Sequence, residues 1–365
     1  MATQRRQSTS TDRTLKVRLS VFCAWLLSQY VRILPKGVAY RIADRCGDLV
    51  YTLFPTYRQN VGSNVAQVLG AGASAEMIRR TVRQVFRNGA RNFVDLLHVP
   101  HTSAENLCAS VDVSEESWRH LDQVVAAGRG GIIVTAHFGA FDYVGQIFWA
   151  NGYPLTSLVT RTVPEFIYTA VTYLRESRGA RLEQVTPGGL RRVLTALKRG
   201  ELIGILADRD FFQNGLPVTF FGKETTLPPG PVRMARDTGA PIVAAFNRRL
   251  KRGHQLVISR PFHVEKTDDA DEDIRGALQR LAAIFERAIH ESPEQWVIFQ
   301  RVWPERPAQS VRVFPVGSPL EGELLGRGSG EVGPLTGPPE SPKDHTGSPQ
   351  SPEPESTHQP AVPRE

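Results

Sequence analysis

His137 and Asp142 stand five residues apart in the run Thr135-Ala-His-Phe-Gly-Ala-Phe-Asp142, the feature of this sequence best suited to chemistry. An imidazole with one nitrogen held by a carboxylate has a fixed tautomer, and its other nitrogen is free to act as a base. Such a base can activate a hydroxyl for attack on a thioester carbonyl. The departing thiolate is a good leaving group, so that reaction needs no protein nucleophile. No G-x-S-x-G occurs in the chain, which argues against a serine-hydrolase elbow. Within one continuous helix, a five-residue step would turn the two side chains apart. The pair converges only if His137 sits in a turn and Asp142 in the first turn of a following helix.

The flanking sequence predicts that arrangement. Gly131–Ala136 (GIIVTA) is a continuous apolar run and reads as a buried strand, and Asp142–Ala150 reads as a helix. His137 then lies at the carboxyl end of a strand, where open α/β sheets form ligand crevices. Gly139 permits the reversal between the two elements. Strands are also predicted at Leu155–Arg161, Leu202–Ala207, Pro241–Asn247, Gln255–Ser259 and Trp296–Val302. Helices are predicted at Trp118–Ala127, Pro164–Glu176, Leu190–Lys198, Gly230–Thr238 and Asp271–Glu291. This alternation predicts a single α/β domain over residues 36–308, with a mostly parallel central sheet flanked by helices. Before it, Ser74 caps a predicted helix running to His98. That helix carries Arg79, Arg80, Arg83 and Arg87 off its apolar face, as a solvated surface or as contacts to lipid phosphates.

The chain has 365 residues and a formal net charge of +7. Its last fifty residues, 316–365, carry 8 acidic and 3 basic side chains, which leaves the preceding body at +12. A body this basic suits an anionic partner such as a membrane surface or lipid phosphate. No zinc-finger or RNA-recognition pattern supports nucleic acid. Cys23, Cys46 and Cys108 are widely spaced and form no C-x-x-C, so neither a disulfide framework nor a metal site is expected, and a reducing compartment fits. Residues 309–365 read as a disordered tail rich in Pro, Gly, Ser and Glu. In residues 1–35, the stretch Leu15–Pro35 is apolar but interrupted by Lys16, Arg18, Ser28, Gln29 and Arg32. It is too broken for a spanning helix and reads as an interfacial helix with basic flanks, or as a helix packed on the domain's own core.

Six stretches together resemble the lipid A lauroyl/myristoyl acyltransferases, a branch of the lysophospholipid acyltransferase superfamily. They are IVTAHFGAFDYVG (133–145), RESRG (175–179), LKRGELIGILADRD (197–210), VTFFG (218–222), LPPGPVRMARDTGAPIVAAF (227–246) and PEQWVIFQRVWP (293–304), in the family's order and at similar separations. The resemblance implies His137 as general base and Asp142 as its partner. It also implies an acyl carrier protein or coenzyme A thioester as donor, with no further cofactor, and a membrane lipid as acceptor. It directs attention to Asp208 and Asp210, at the end of a second strand beside the same crevice, for sugar hydroxyls, for Arg209, or for a turn. Arg161, Arg175 and Arg178 are candidates for phosphate contacts or plain ion pairs, with Arg175 preferred. Phe220, Phe221 and Gly222 are expected on the crevice wall. The motif reads Ala-Phe-Asp where many lipid A enzymes have Asn-Trp-Glu, and in this it is also similar to phosphatidylinositol mannoside acyltransferases.

The expected activity is therefore O-acyl transfer to a glycolipid or phospholipid at the cytoplasmic face of the plasma membrane. The protein would be held there peripherally or by one anchor. Two alternatives stay open: a thioester hydrolase using the same dyad, and a non-catalytic lipid-binding protein that keeps the fold.

Overall fold

The computed structural model describes residues 2–161 and 164–303. Five helices come first: α1 (Ala2–Ile33), α2 (Lys36–Leu53), α3 (Pro55–Leu69), α4 (Ala75–His98) and α5 (Ala104–Ser110). The alternating region follows with β1 (Val111–Val113), α6 (Glu115–Ala126), β2 (Gly131–Thr135), α7 (Phe141–Ala150), β3 (Leu155–Val159), α8 (Glu165–Glu176), β4 (Arg181–Gln184), α9 (Pro187–Lys198) and β5 (Leu202–Leu206). A hairpin of β6 (Leu216–Phe220) and β7 (Lys223–Leu227) leads into α10 (Gly230–Thr238), β8 (Ile242–Arg249), β9 (His254–Ile258) and α11 (Ala270–Glu291). The tail expected at 309–365 lies outside the described residues.

Among the described residues seven strands form one sheet in the order β1-β9-β8-β2-β5-β3-β4, parallel throughout except for the β8–β9 pair. β2 is central because its apolar run can be covered on both sides. Ile132 and Val134 face a core shared with α9, α10 and α11, while Ile133 faces the core beneath α5, α6, α7 and α8. The predicted α/β domain with a mostly parallel sheet is what is found.

Several predicted elements change. Trp296–Val302 is not a strand. It runs across the carboxyl end of the sheet, touching the ladder only through a Phe138–Trp296 bridge. Side chains satisfy its backbone instead: Asn60 donates to Phe299 O (3.1 Å) and Asn64 to Gln300 O (2.7 Å). Its apolar run serves to bury Trp296, Ile298 and Trp303. β4 is an edge strand of sequence RLEQ, which has no apolar run to announce it. Gly222 with Phe221 makes the two-residue β6–β7 turn, both at positive φ (71° and 49°) as such hairpins require. Gly222 is exposed, and Phe220 is buried against Trp296 and Trp303. These residues are hairpin and core rather than crevice wall.

The α4 start is as expected, with Ser74 accepting from Met77 N at 3.1 Å. Its arginines are engaged within the protein. Arg79 and Arg80 pair with Glu76, while Arg83 and Arg87 both grip Asp48 of α2 and Arg91 grips Asp44.

His254, at the start of β9, lies buried against Tyr143, with ring centroids 5.0 Å apart. Neither ring nitrogen has a hydrogen-bond partner among the described residues. Burial pushes its pKa down from 6.5 to about 4, with Arg249 and Lys36 adding to the fall and Asp95 opposing it. Between those two values the unfolded chain takes up a proton that the folded chain refuses. Stability therefore falls as pH drops below 6.5, and the loss is complete near pH 4, amounting to about 3 kcal/mol. Urea denaturation at pH 7 and pH 4.5 should show His254→Phe losing about 2 kcal/mol less than the wild type, most of the full effect, over that interval. Equal losses would refute this account.

Candidate active site

β2 and β5 are neighbours in register, with Thr135 opposite Leu206. Two residues past each of these paired positions come His137 and Asp208. Parallel pairing thus sets the two side by side at the carboxyl end of the sheet, although they are 71 residues apart in sequence. His137 Nδ1 lies 2.8 Å from Asp208 Oδ1, and the His137 backbone N–H donates to Asp208 Oδ2 at 2.8 Å. Trp296 Nε1 donates to the same Oδ2 at 2.9 Å. Asp208 is fully buried. Burial alone would raise its pKa, but the charge and hydrogen bond of His137, the Trp296 N–H and the backbone N–H outweigh burial and hold it below the usual carboxylate range. An ionised carboxylate only accepts, so Nδ1 carries the proton and Nε2 is the basic nitrogen. Nε2 has no partner among the described residues, and the ring keeps 21% of its side-chain surface exposed.

The expected His137–Asp142 contact is not made. Asp142, in the first turn of α7, is paired with Arg175 of α8, whose Nε lies 2.7 Å from Oδ1. The imidazole partner is Asp208, one of the two aspartates read as flanking the crevice. Sequence spacing proposed a local partner, and strand register supplied a distant one.

Three parts of the chain hold the turn that carries His137: β8, α4 and the stretch 295–297. Gly139 has φ +59°, and a Cβ there would fall 1.6 Å from Asn247 O on β8, so no other residue fits. Its N–H donates to Gln295 O (2.9 Å) and its carbonyl accepts from Asn92 of α4 (2.7 Å). Asn247 donates to Ala140 O at 3.0 Å, and Val297 N donates to His137 O at 2.7 Å. Phe141 stands edge-on to the imidazole at 5.3 Å, with Phe211 at 6.4 Å. Arg209 stacks on Phe211, its guanidinium 3.8 Å from the ring centroid, and burial lowers its pKa. The imidazole thus has apolar walls and a cation nearby.

The remaining candidates scatter. Asp210 accepts from Asn214 N, Gly215 N and the Thr226 hydroxyl, so it organises the loop before β6. Arg178 is spent on Val99 O (3.4 Å) and Thr102 O (2.5 Å). Arg161 is exposed beyond β3 and has no ion pair among the described residues. No three His, Cys, Asp or Glu side chains converge at ligand spacing among the described residues. Nothing in the sequence marks Trp296 for this site, since an indole in an apolar run gives no sign that its N–H meets a carboxylate.

Residues 8–305 match the family model described as bacterial lipid A biosynthesis acyltransferase. A phosphatidylinositol mannoside acyltransferase of Mycobacterium tuberculosis is 27% identical over 67% of this chain and 77% of its own length. The enzyme of that name from Mycolicibacterium smegmatis is 28% identical over 66% of this chain and 77% of its own. A lipid A biosynthesis acyltransferase of Haemophilus influenzae is 25% identical over 49% of this chain and 55% of its own.

Proposed function

The chain belongs to the bacterial lipid A biosynthesis acyltransferase family, and from that premise we propose that it moves a fatty acyl chain from an acyl thioester to a lipid hydroxyl, with His137 as general base held by Asp208. The carrying observation is the doubly bonded His137–Asp208 pair with Nε2 left open. Nε2 takes the proton of the acceptor hydroxyl as its oxygen attacks the thioester carbonyl. The tetrahedral intermediate collapses, the C–S bond breaks, and the thiolate leaves and recovers the proton from the imidazolium. Asp208 stays ionised and steadies that imidazolium. Phe141 and Phe211 suit the apolar start of the acyl chain. Asp142 holds Arg175 in place, and the guanidinium so fixed keeps further N–H donors for an acceptor phosphate.

The acceptor we favour is a mannosylated phosphoinositide, because relatives with that printed activity match more of this chain than the lipid A enzyme does. The donor is an acyl carrier protein or coenzyme A thioester at the cytoplasmic face of the membrane. α1 supports a peripheral seat there. Ala24, Ser28 and Val31 are buried, whereas Leu15, Leu19, Phe22, Leu26, Tyr30 and Ile33 are exposed along the rest of the helix. Among the described residues no helix is long and apolar enough to cross a membrane.

The test is thiol release from an acyl-coenzyme A or acyl carrier protein thioester by the purified protein. Either thioester is assayed with a phosphatidylinositol mannoside, with a lipid A precursor, or with no acceptor. The expected result is release that rises with the mannoside and an acylated mannoside by mass spectrometry. Release at the same rate without acceptor would establish hydrolysis instead. A response to the lipid A precursor alone would move the acceptor.

A further inference from the structure

α2 is built inside out for a helix in water. Its small residues Ala39, Ala43 and Gly47 recur every four positions and are the buried ones. They pack on α4 so closely that a Cβ at Gly47 would come 2.8 Å from backbone atoms of Phe86 and Arg87. Close approach along small residues is the packing of helices in lipid. The large apolar side chains point outward. Ile42, Leu49 and Leu53 are 47%, 57% and 60% exposed, and Phe54 and Tyr57 extend the patch into α3. Ile42, Cys46, Leu49 and Leu53 follow steps of four, three and four, a single stripe on the outer face.

Charge completes the pattern. Both acidic residues of α2 are turned inward, Asp44 to Arg91 (2.7 Å) and Asp48 to Arg83 and Arg87 (2.7 and 2.8 Å). Arg41 and Arg45 are exposed, and neither has an ion pair among the described residues. The outer face is therefore apolar and cationic, with its anions withdrawn. Such a face suits anionic lipid headgroups over an acyl region rather than water or a cationic partner. It also stands near the reaction. One helix, α4, links α2 to the turn bearing His137, through Arg91 to Asp44 on one side and Asn92 to Gly139 O on the other.

We propose that the outer face of α2, with the α2–α3 corner, is a second bilayer contact that seats the protein on an anionic membrane. The proposal extends the membrane reading of α1 and needs no acyl transfer for its test. The full-length chain is sedimented with phosphatidylcholine vesicles, with and without phosphatidylglycerol. Leu49→Glu/Leu53→Glu, with α1 intact, is expected to bind about tenfold more weakly while melting as the wild type does. Val257→Glu, an equally exposed apolar site on β9, should bind as the wild type. Arg41→Gln/Arg45→Gln should lose most of the gain from phosphatidylglycerol. Wild-type binding by the glutamate variant overturns the proposal. So does a wild-type dimer that this variant dissolves without change in vesicle binding, since the face would then join two copies. A wild-type chain that fails to sediment removes the α1 reading as well, leaving the chemistry at His137 to its own assay.

Discussion

Asp208→Asn is expected to give a folded protein that transfers acyl groups on the order of a thousandfold more slowly. Asp208 Oδ2 accepts two N–H groups, from the His137 backbone and from Trp296. An asparagine must turn its single oxygen to those two donors, which keeps the fold. Its amide NH2 then faces His137 Nδ1. Two donors cannot share that contact, so the ring adopts the other tautomer, with the proton on Nε2. The nitrogen facing the substrate is then no longer a base. His137→Ala should be as severe, and the double variant no worse than either single change, because the two residues act as one unit. Turnover is measured as thiol release at saturating acceptor, beside a thermal melt. Asp142→Asn disturbs only the Arg175 pairing and should lose much less. If Asp142→Asn proves the more damaging change, Asp208 is not the partner.

That contrast also marks how far the sequence could be read. His137 was legible because its apolar strand and Gly139 are local. A continuous buried run, a tight turn and a helix follow one another without reference to the rest of the chain. Its carboxylate was not legible, because β5 becomes the neighbour of β2 only when the sheet is assembled. The H-x4-D spacing made Asp142 the nearest choice, and nothing local showed that Arg175 would claim it. Asp208 and Asp210 looked alike as strand-end aspartates. The structure separates them through register, which delivers Asp208 to the imidazole and leaves Asp210 to tie its own loop. The segment from Trp296 misleads for a different reason. Periodicity reports burial, and burial here comes without a ladder, since Asn60 and Asn64 supply the backbone partners. α2 goes unread because its outward apolar stripe and inward alanines give no pattern of an ordinary soluble helix.

The largest loss of stability is expected at Arg249, the last residue of β8. Its guanidinium is buried and donates to Asp95 Oδ2 at 2.5 Å and to Asn92 Oδ1 at 2.6 Å. Asp95 is buried as well, and Tyr40 donates its hydroxyl to the other oxygen at 2.5 Å. Desolvation would raise the Asp95 pKa, but Arg249, His254 and Lys36 together hold it below the usual range, so it stays ionised. Arg249→Met fills similar space and leaves that charge without its main partner. Removing one member of a buried pair costs about 3–5 kcal/mol, most of it the penalty of the stranded charge. Adding Asp95→Asn should therefore return part of the loss, and urea denaturation of the two single variants and the double gives the coupling directly. A double variant as unstable as the sum of the singles would deny the pairing. The same bonds reach the chemistry. Asn92, held by Arg249, donates to Gly139 O, and Gln295 clasps the Arg249 backbone while accepting from Gly139 N. Arg249→Met should accordingly slow transfer even under conditions where it remains folded. His137 is set by its sheet register and by this buried pair behind the turn, so activity and stability are tied to one network.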